Sequence, residues 1–216
     1  MVRNALALGA LASVVVAGSA SASLVGGSIE SLGELTPGVT TYRVYADFTS
    51  PADKLLAING DSDIAALSFT ADSPLVNSSL FAGLVGEDTF QVAPVSSPWD
   101  SWVSIGSTAT HNTSFSPGFL GGNGTVSVIN GSSFTQADNG GYFDSNPGTA
   151  EVGGHILIAQ FSLATGSTFT YSGTASYQVD GSGSPVGEAF SVTTVPAPGA
   201  MALLGLAGLA ARRRRA

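Results

Sequence analysis

The sequence predicts an all-β fold, an antiparallel two-sheet sandwich, on three observations. Apolar and polar residues alternate with a period of two in several separate stretches. Only 10% of the 216 residues are charged while 28 are glycine, a composition suited to short strands joined by many turns. Between its two ends the chain sustains no helical periodicity, which disfavours a parallel α/β arrangement. A hydrophobic content of 44% is enough to build a real core.

The clearest alternation sets Phe169, Tyr171, Gly173, Ala175, Tyr177 and Val179 against Thr170, Ser172, Thr174, Ser176, Gln178 and Asp180, one face buried and one wet. Shorter versions run through Tyr42, Val44, Ala46 and Phe48 and through Ala65, Leu67 and Phe69. All three read as edge or outer strands of antiparallel sheets. Residues 155–161 are almost continuously apolar after His155, as a strand covered on both faces requires, and belong at the centre of a sheet. Residues 55–58, 80–85, 102–105, 126–129 and 190–194 bring the expected total to eight or nine strands, a sandwich of the Ig-like or jelly-roll-like kind. There is no internal repeat, and the glycine- and serine-rich residues 181–185 form a hairpin or loop inside one domain spanning 23–194.

The two ends carry a different signal. Arg3, an apolar run over residues 5–17 and then Ala20-Ser21-Ala22 reproduce the basic, greasy and small-residue regions of a secretory signal peptide over residues 1–22. Small residues at Ala20 and Ala22 place the cut before Ser23. At the other end Val195-Pro196-Ala197-Pro198 precedes an apolar stretch over 200–211 and then Arg212, Arg213, Arg214 and Arg215. About a dozen apolar residues reach ~18 Å as a helix, against a hydrocarbon core of ~30 Å, so this short hydrophobic helix anchors marginally unless the arginine stems snorkel. The arginine block stays cytoplasmic by the positive-inside tendency, which leaves everything before Pro196 outside.

Residues 195–216 resemble the PEP-CTERM sorting signal of Gram-negative bacteria in order and spacing, with Ala197 standing where the family motif carries Glu. The resemblance implies a tail read by exosortase, a membrane cysteine protease, and a body delivered to the cell surface or extracellular matrix. The same residues also suit a plain C-terminal anchor that is never cut, so the membrane attachment is transient or permanent. The body resembles a β-rich domain of other secreted proteins bearing such tails, through Tyr42-Arg43-Val44-Tyr45, Ile58-Asn59-Gly60-Asp61 and residues 99–106 and 156–161. That resemblance implies a fold and brings no activity with it.

Charge narrows the partners. The net charge of −8 includes five arginines at the extremes; without both ends only Arg43 and Lys54 face fifteen acids, which gives −13. Nucleic acid, whose binding depends on neutralising phosphates, is a poor partner for such a body. Polysaccharide and other surface proteins fit better, besides signal peptidase and exosortase during processing. With no cysteine, the chain has neither disulfides nor thiolate chemistry.

No catalytic motif emerges. The two histidines, His111 and His155, have no acid–base pattern around them in sequence, and the Gly-x-Ser-x-Gly elbow is lacking. Asp100, between Trp99 and Trp102, is the place to look for a glycosidase carboxylate; the other reading has a tryptophan filling the core and Asp100 capping a turn. The leading expectation is a non-enzymatic protein without cofactor. Calcium is the one metal the residues suggest: Asn59, Asp61 and Asp63 offer oxygens at alternate positions like the first half of an EF-hand loop, but Ile64 and Thr70 stand where Gly and Glu are required. An Asx-rich turn yields the same letters. Two long polar stretches, 107–124 and 130–154, carry Phe115, Phe119, Phe134, Tyr142 and Phe143. These rings either stack on sugars, as in a carbohydrate-binding module, or pin the loops to the sandwich.

Overall fold

A computed structural model describes residues 23–77, 91–92, 98–106, 113–116, 119, 131–138, 140–146, 148 and 150–194. The signal and sorting-tail segments, the expected strands at 80–85 and 126–129, and His111 lie outside the described residues.

Twelve strands are described: β1 (Leu24–Thr36), β2 (Val39–Phe48), β3 (Lys54–Asn59), β4 (Leu67–Ala71), β5 (Gln91–Val92), β6 (Trp102–Val103), β7 (Thr113–Phe115), β8 (Ser133–Gln136), β9 (Gly141–Asp144), β10 (His155–Ala164), β11 (Phe169–Gln178) and β12 (Val186–Thr193). One sheet has the order β1-β2-β10-β6-β5. The second is built around β11, which pairs with β12 along one edge and with β3 and β4, placed end to end, along the other. There β3 leads outward to β9 and β7, and β4 to β8. All pairs are antiparallel except β5–β6, a two-residue parallel pair.

The strand at 155–161 holds the central position expected of it, bonded to β2 and β6 and buried from Ile156 to Leu163. The alternating strands, however, are not edges. β2 lies between β1 and β10, β4 between β11 and β8, and β11 has partners on both sides. Alternation records one wet face, and an antiparallel sheet can keep a face wet across all its strands, interior ones included.

The two sheets pack face to face. Val44, Ala46, Phe48, Ile156, Ile158 and Phe161 of the first meet Leu55, Ile58, Phe69, Tyr171 and Tyr177 of the second in one hydrophobic cluster. Ring pairs cross the interface at centroid distances of 4.9 Å (Phe48–Tyr177), 4.8 Å (Phe69–Phe161) and 5.0 Å (Phe161–Tyr171). Each buried ring of this kind contributes on the order of 3 kcal/mol relative to alanine. A polar link joins the sheets as well. Ile158 sits at a bulge, unpaired with β2, and its carbonyl accepts the Ser104 N–H at 3.1 Å and the Tyr142 hydroxyl at 2.8 Å. Tyr171 completes the link with its hydroxyl 2.9 Å from that of Tyr142. Burial holds both phenols well above the ordinary tyrosine range.

Turn chemistry sets the ends of the layers. β1 and β2 are joined by Pro37-Gly38, with Gly38 at φ 79°, a conformation that favours glycine. The β10–β11 turn docks against it through the Thr165 N–H on the Gly38 carbonyl at 2.9 Å. β11 ends in a 3-10 turn over Val179–Gly181, and the chain returns as β12, so residues 181–185 form the expected hairpin. Val179 belongs to that turn and not to the strand.

Candidate functional site

The inward residues of β2 are Val44, Ala46 and Phe48, so Arg43, Tyr45 and Asp47 face outward. Register places Glu30 of β1 opposite Arg43, and on β10 places His155 opposite Asp47, Leu157 opposite Tyr45 and Gln160 opposite Arg43. The result is a surface cluster on the first sheet. The Tyr45 and His155 rings stack at 3.9 Å with an interplanar angle of 16°. His155 Nδ1 lies 2.5 Å from Asp47 Oδ1, and the Tyr45 hydroxyl donates to Glu30 Oε2 at 2.9 Å. Partial burial, and then the Glu30 carboxylate, raise the Tyr45 phenol pKa. The His155 side chain is 58% exposed, so the stack is open to solvent.

Toward β6 the same face is covered. Gln160 donates to the carbonyls of Pro98 and Asp100 at 3.1 and 2.8 Å, and Ser101 Oγ accepts the Ser162 N–H at 3.0 Å. Trp102, the cross-strand partner of Gln160, is buried here and not between the sheets. Val103 takes the inter-sheet position, because neighbouring residues of a strand point to opposite faces. Asp100 is buried, and its carboxylate accepts the N–H of the adjacent Ser101 at 3.0 Å. Arg43 Nε and Trp102 Nε1 are both buried without a hydrogen-bond partner. The open end thus presents the Tyr45–His155 stack with the Glu30 and Asp47 carboxylates beside it. His155 has an acid partner, Asp47, which the sequence around it did not reveal.

The loop aromatics divide. Phe119 and Tyr142 are buried in the inter-sheet cluster, and Phe115 packs partly against it, stacked on Phe119 at 5.5 Å. Phe143, the neighbour of Tyr142 on β9, points outward and is exposed. Phe134 of β8 stacks on Phe69 at 5.8 Å. Phe143 is therefore the ring of this group that a ligand could reach, and the others pin their segments to the sandwich.

The Asn59-to-Asp63 oxygens serve the turn between β3 and β4. Asn59 Oδ1 accepts the Ser176 hydroxyl at 2.9 Å, Asp61 Oδ1 accepts the Asp63 N–H at 2.9 Å, and Ser62 donates its N–H to Asp138 Oδ1 at 2.7 Å. Among the described residues no group of three or more His, Asp or Glu side chains converges as a metal site. Ser23, the expected first residue after cleavage, is buried beside Asp53 and Tyr177. Ala20, Ala22, Val195, Pro196, Ala197, Pro198 and the four terminal arginines lie outside the described residues.

Comparison with protein-family models, with curated proteins and with solved structures finds no match to this chain.

Proposed function

We propose that this chain is an exported, non-enzymatic protein of the cell surface or extracellular matrix. Signal peptidase removes residues 1–22 and an exosortase-type signal over 195–216 sorts the remainder. One observation carries the reading on the structural side: the sandwich closes on itself at the two expected trimming points. The Ser23 carbonyl accepts the Thr49 N–H at 2.8 Å, the Thr194 N–H donates to the Phe169 carbonyl at 3.0 Å, and the Thr194 hydroxyl accepts the Phe169 N–H at 2.8 Å. A body trimmed at both places keeps every described strand. The Ig-like or jelly-roll-like style of the sandwich, the signal helix and the short hydrophobic tail helix belong to the same proposal. The test is fractionation of the host cells and sequencing of both ends of the recovered polypeptide. Product outside the cytoplasm that begins at Ser23 supports the reading, and intact chain dissolved in the cytosol refutes it.

The exposed Tyr45–His155 stack favours a second reading, a carbohydrate-binding module. Aromatic faces stack on sugar rings, while Glu30 and Asp47 supply acceptors for hydroxyls. Calcium at Asn59, Asp61 and Asp63, and secreted hydrolase activity, rank below it. A glycan array separates the first two: binding lost in Tyr45→Ala and His155→Ala but kept in Phe143→Ala supports a module using this face, and silence across the array supports the first reading.

A further inference from the structure

Asp53 has a relative exposure of 0%, and among the described residues no Lys or Arg side chain pairs with it. A buried carboxylate ordinarily has a cation or a full set of donors. Its oxygens take the Ser23 hydroxyl and, at 2.9 Å, the Asp180 N–H. The Ser23 backbone nitrogen, in a residue only 4% exposed, donates to the Tyr177 hydroxyl at 3.1 Å. The Leu24 N–H reaches the same oxygen at 3.3 Å, and Glu188 of β12 also hydrogen-bonds Tyr177. The Ser23 nitrogen belongs to the residue whose hydroxyl bonds the Asp53 carboxylate, so the nitrogen and that carboxylate are close neighbours.

We propose that this pocket is a binding site for the α-ammonium group of Ser23, which export processing creates. The inference rests on the proposed cut before Ser23. Hydrolysis of the Ala22–Ser23 bond consumes one water, leaving a carboxylate on Ala22 and, with the proton taken up by the amine, an ammonium on Ser23. The nitrogen keeps a donor for Tyr177 and gains a positive charge and two further N–H groups beside a buried carboxylate that, among the described residues, has no cation. The charged and titratable groups around it are Asp53 from the β2–β3 turn, Tyr177 from β11, Glu188 from β12 and Asp180 from the 3-10 turn. Lys54 is next in sequence to Asp53, and the Asp47–His155 pair lies further along β2. Because Ser23 is buried once β1 is in place, the cut precedes folding, and the new terminus locks in as the sheet closes.

On this proposal the attraction of the neighbouring carboxylates outweighs the cost of burying the ammonium, which sets the amine pKa in the folded state above its ordinary value of about 7.7–8.0. The stabilisation is therefore fully present below that range and is lost as pH rises through the folded-state value. The test uses the full chain, exported and processed in a Gram-negative host, with mass spectrometry to identify the first residue. Its comparisons are Asp53→Asn and a chain with one glycine inserted between Ala22 and Ser23, which moves the amine out by one residue. The expected result is a Tm for the unaltered protein that falls by about 3 °C or more between pH 7 and 10 beyond the fall in the insertion variant. Lys54 is the single lysine, so acylation at pH 7.5 reads just two amines, and the Ser23 amine should react at least tenfold more slowly than the displaced one. A product beginning at Ser23 with equal pH dependence and equal acylation in both chains overturns the proposal while leaving export intact. A product beginning at Met1 overturns both. Should Asp53→Asn fail to fold, the insertion variant and the acylation rates decide.

Discussion

Replacing Tyr142 with phenylalanine should cost more than replacing it together with Tyr171. The Tyr142 hydroxyl donates its one proton to the Ile158 carbonyl, so the Tyr171 hydroxyl must donate to Tyr142. In Tyr142→Phe the Ile158 carbonyl still holds the Ser104 N–H, but the Tyr171 hydroxyl is left as a buried donor without acceptor. Such an orphan costs about 1–3 kcal/mol, and the lost bond to Ile158 adds about 1, for a total of about 2–4 kcal/mol. Tyr171→Phe alone leaves Tyr142 on its carbonyl and costs about 1 kcal/mol. The double variant strands no donor and costs about 1–2 kcal/mol, so the second substitution recovers stability lost to the first. Urea unfolding with an unchanged slope measures all three. If Tyr171→Phe destabilises the Tyr142→Phe background further, the hydroxyl relay is not organised as described.

Three further outcomes follow from the geometry. Asp72 accepts the Thr168 N–H at 2.9 Å and the Thr168 hydroxyl at 3.0 Å, and the backbone donor chiefly holds its carboxyl below the usual value of 3.8; the wild type should therefore lose Tm as pH falls from about 4 to 2, and Asp72→Ala should show a lower Tm at pH 6 and a weaker acid dependence, followed by calorimetry across pH. Gly60→Ala should lose about 1–3 kcal/mol in urea unfolding, because its Cβ would collide with the Gln136 carbonyl where the β3–β4 turn approaches β8. Calcium in excess over a chelator control should leave Tm unchanged, since the Asn59 and Asp61 oxygens already serve Ser176 and Asp63; a rise of several degrees would mean that the turn reorganises around the ion.

The long inward-facing patterns were legible. The strands through Val44–Phe48 and Phe169–Tyr177 follow from periodicity because each buries one side against the other sheet, and the strand through Ile156–Phe161 follows from its nearly continuous apolar run because it is covered on both faces. β1 was not, although it is thirteen residues long: Gly26, Gly27 and Gly33 and three register shifts interrupt its alternation, and most of it is only half-buried. β7, β8 and β9 lie in stretches that read as polar loop, because three or four residues cannot display a period. The candidate face was the least legible part. Asp47 and His155 are 108 residues apart, and only strand register brings them together. Tyr142 and Phe143 looked equivalent in a loop, whereas adjacent positions in a strand send one ring inward and the other out.

The position of β11 governs when this chain can fold. Its partners β3 and β4 are made roughly a hundred residues earlier and β12 only after it, while β10 waits over a comparable separation for β2. Neither layer can be finished from a partial polypeptide, because the entropy of closing such long loops must be met before their contacts form. The β1–β2 hairpin can form early because its two strands are adjacent in sequence, but it gains its neighbour β10 and its facing sheet only when the last third of the chain has been made.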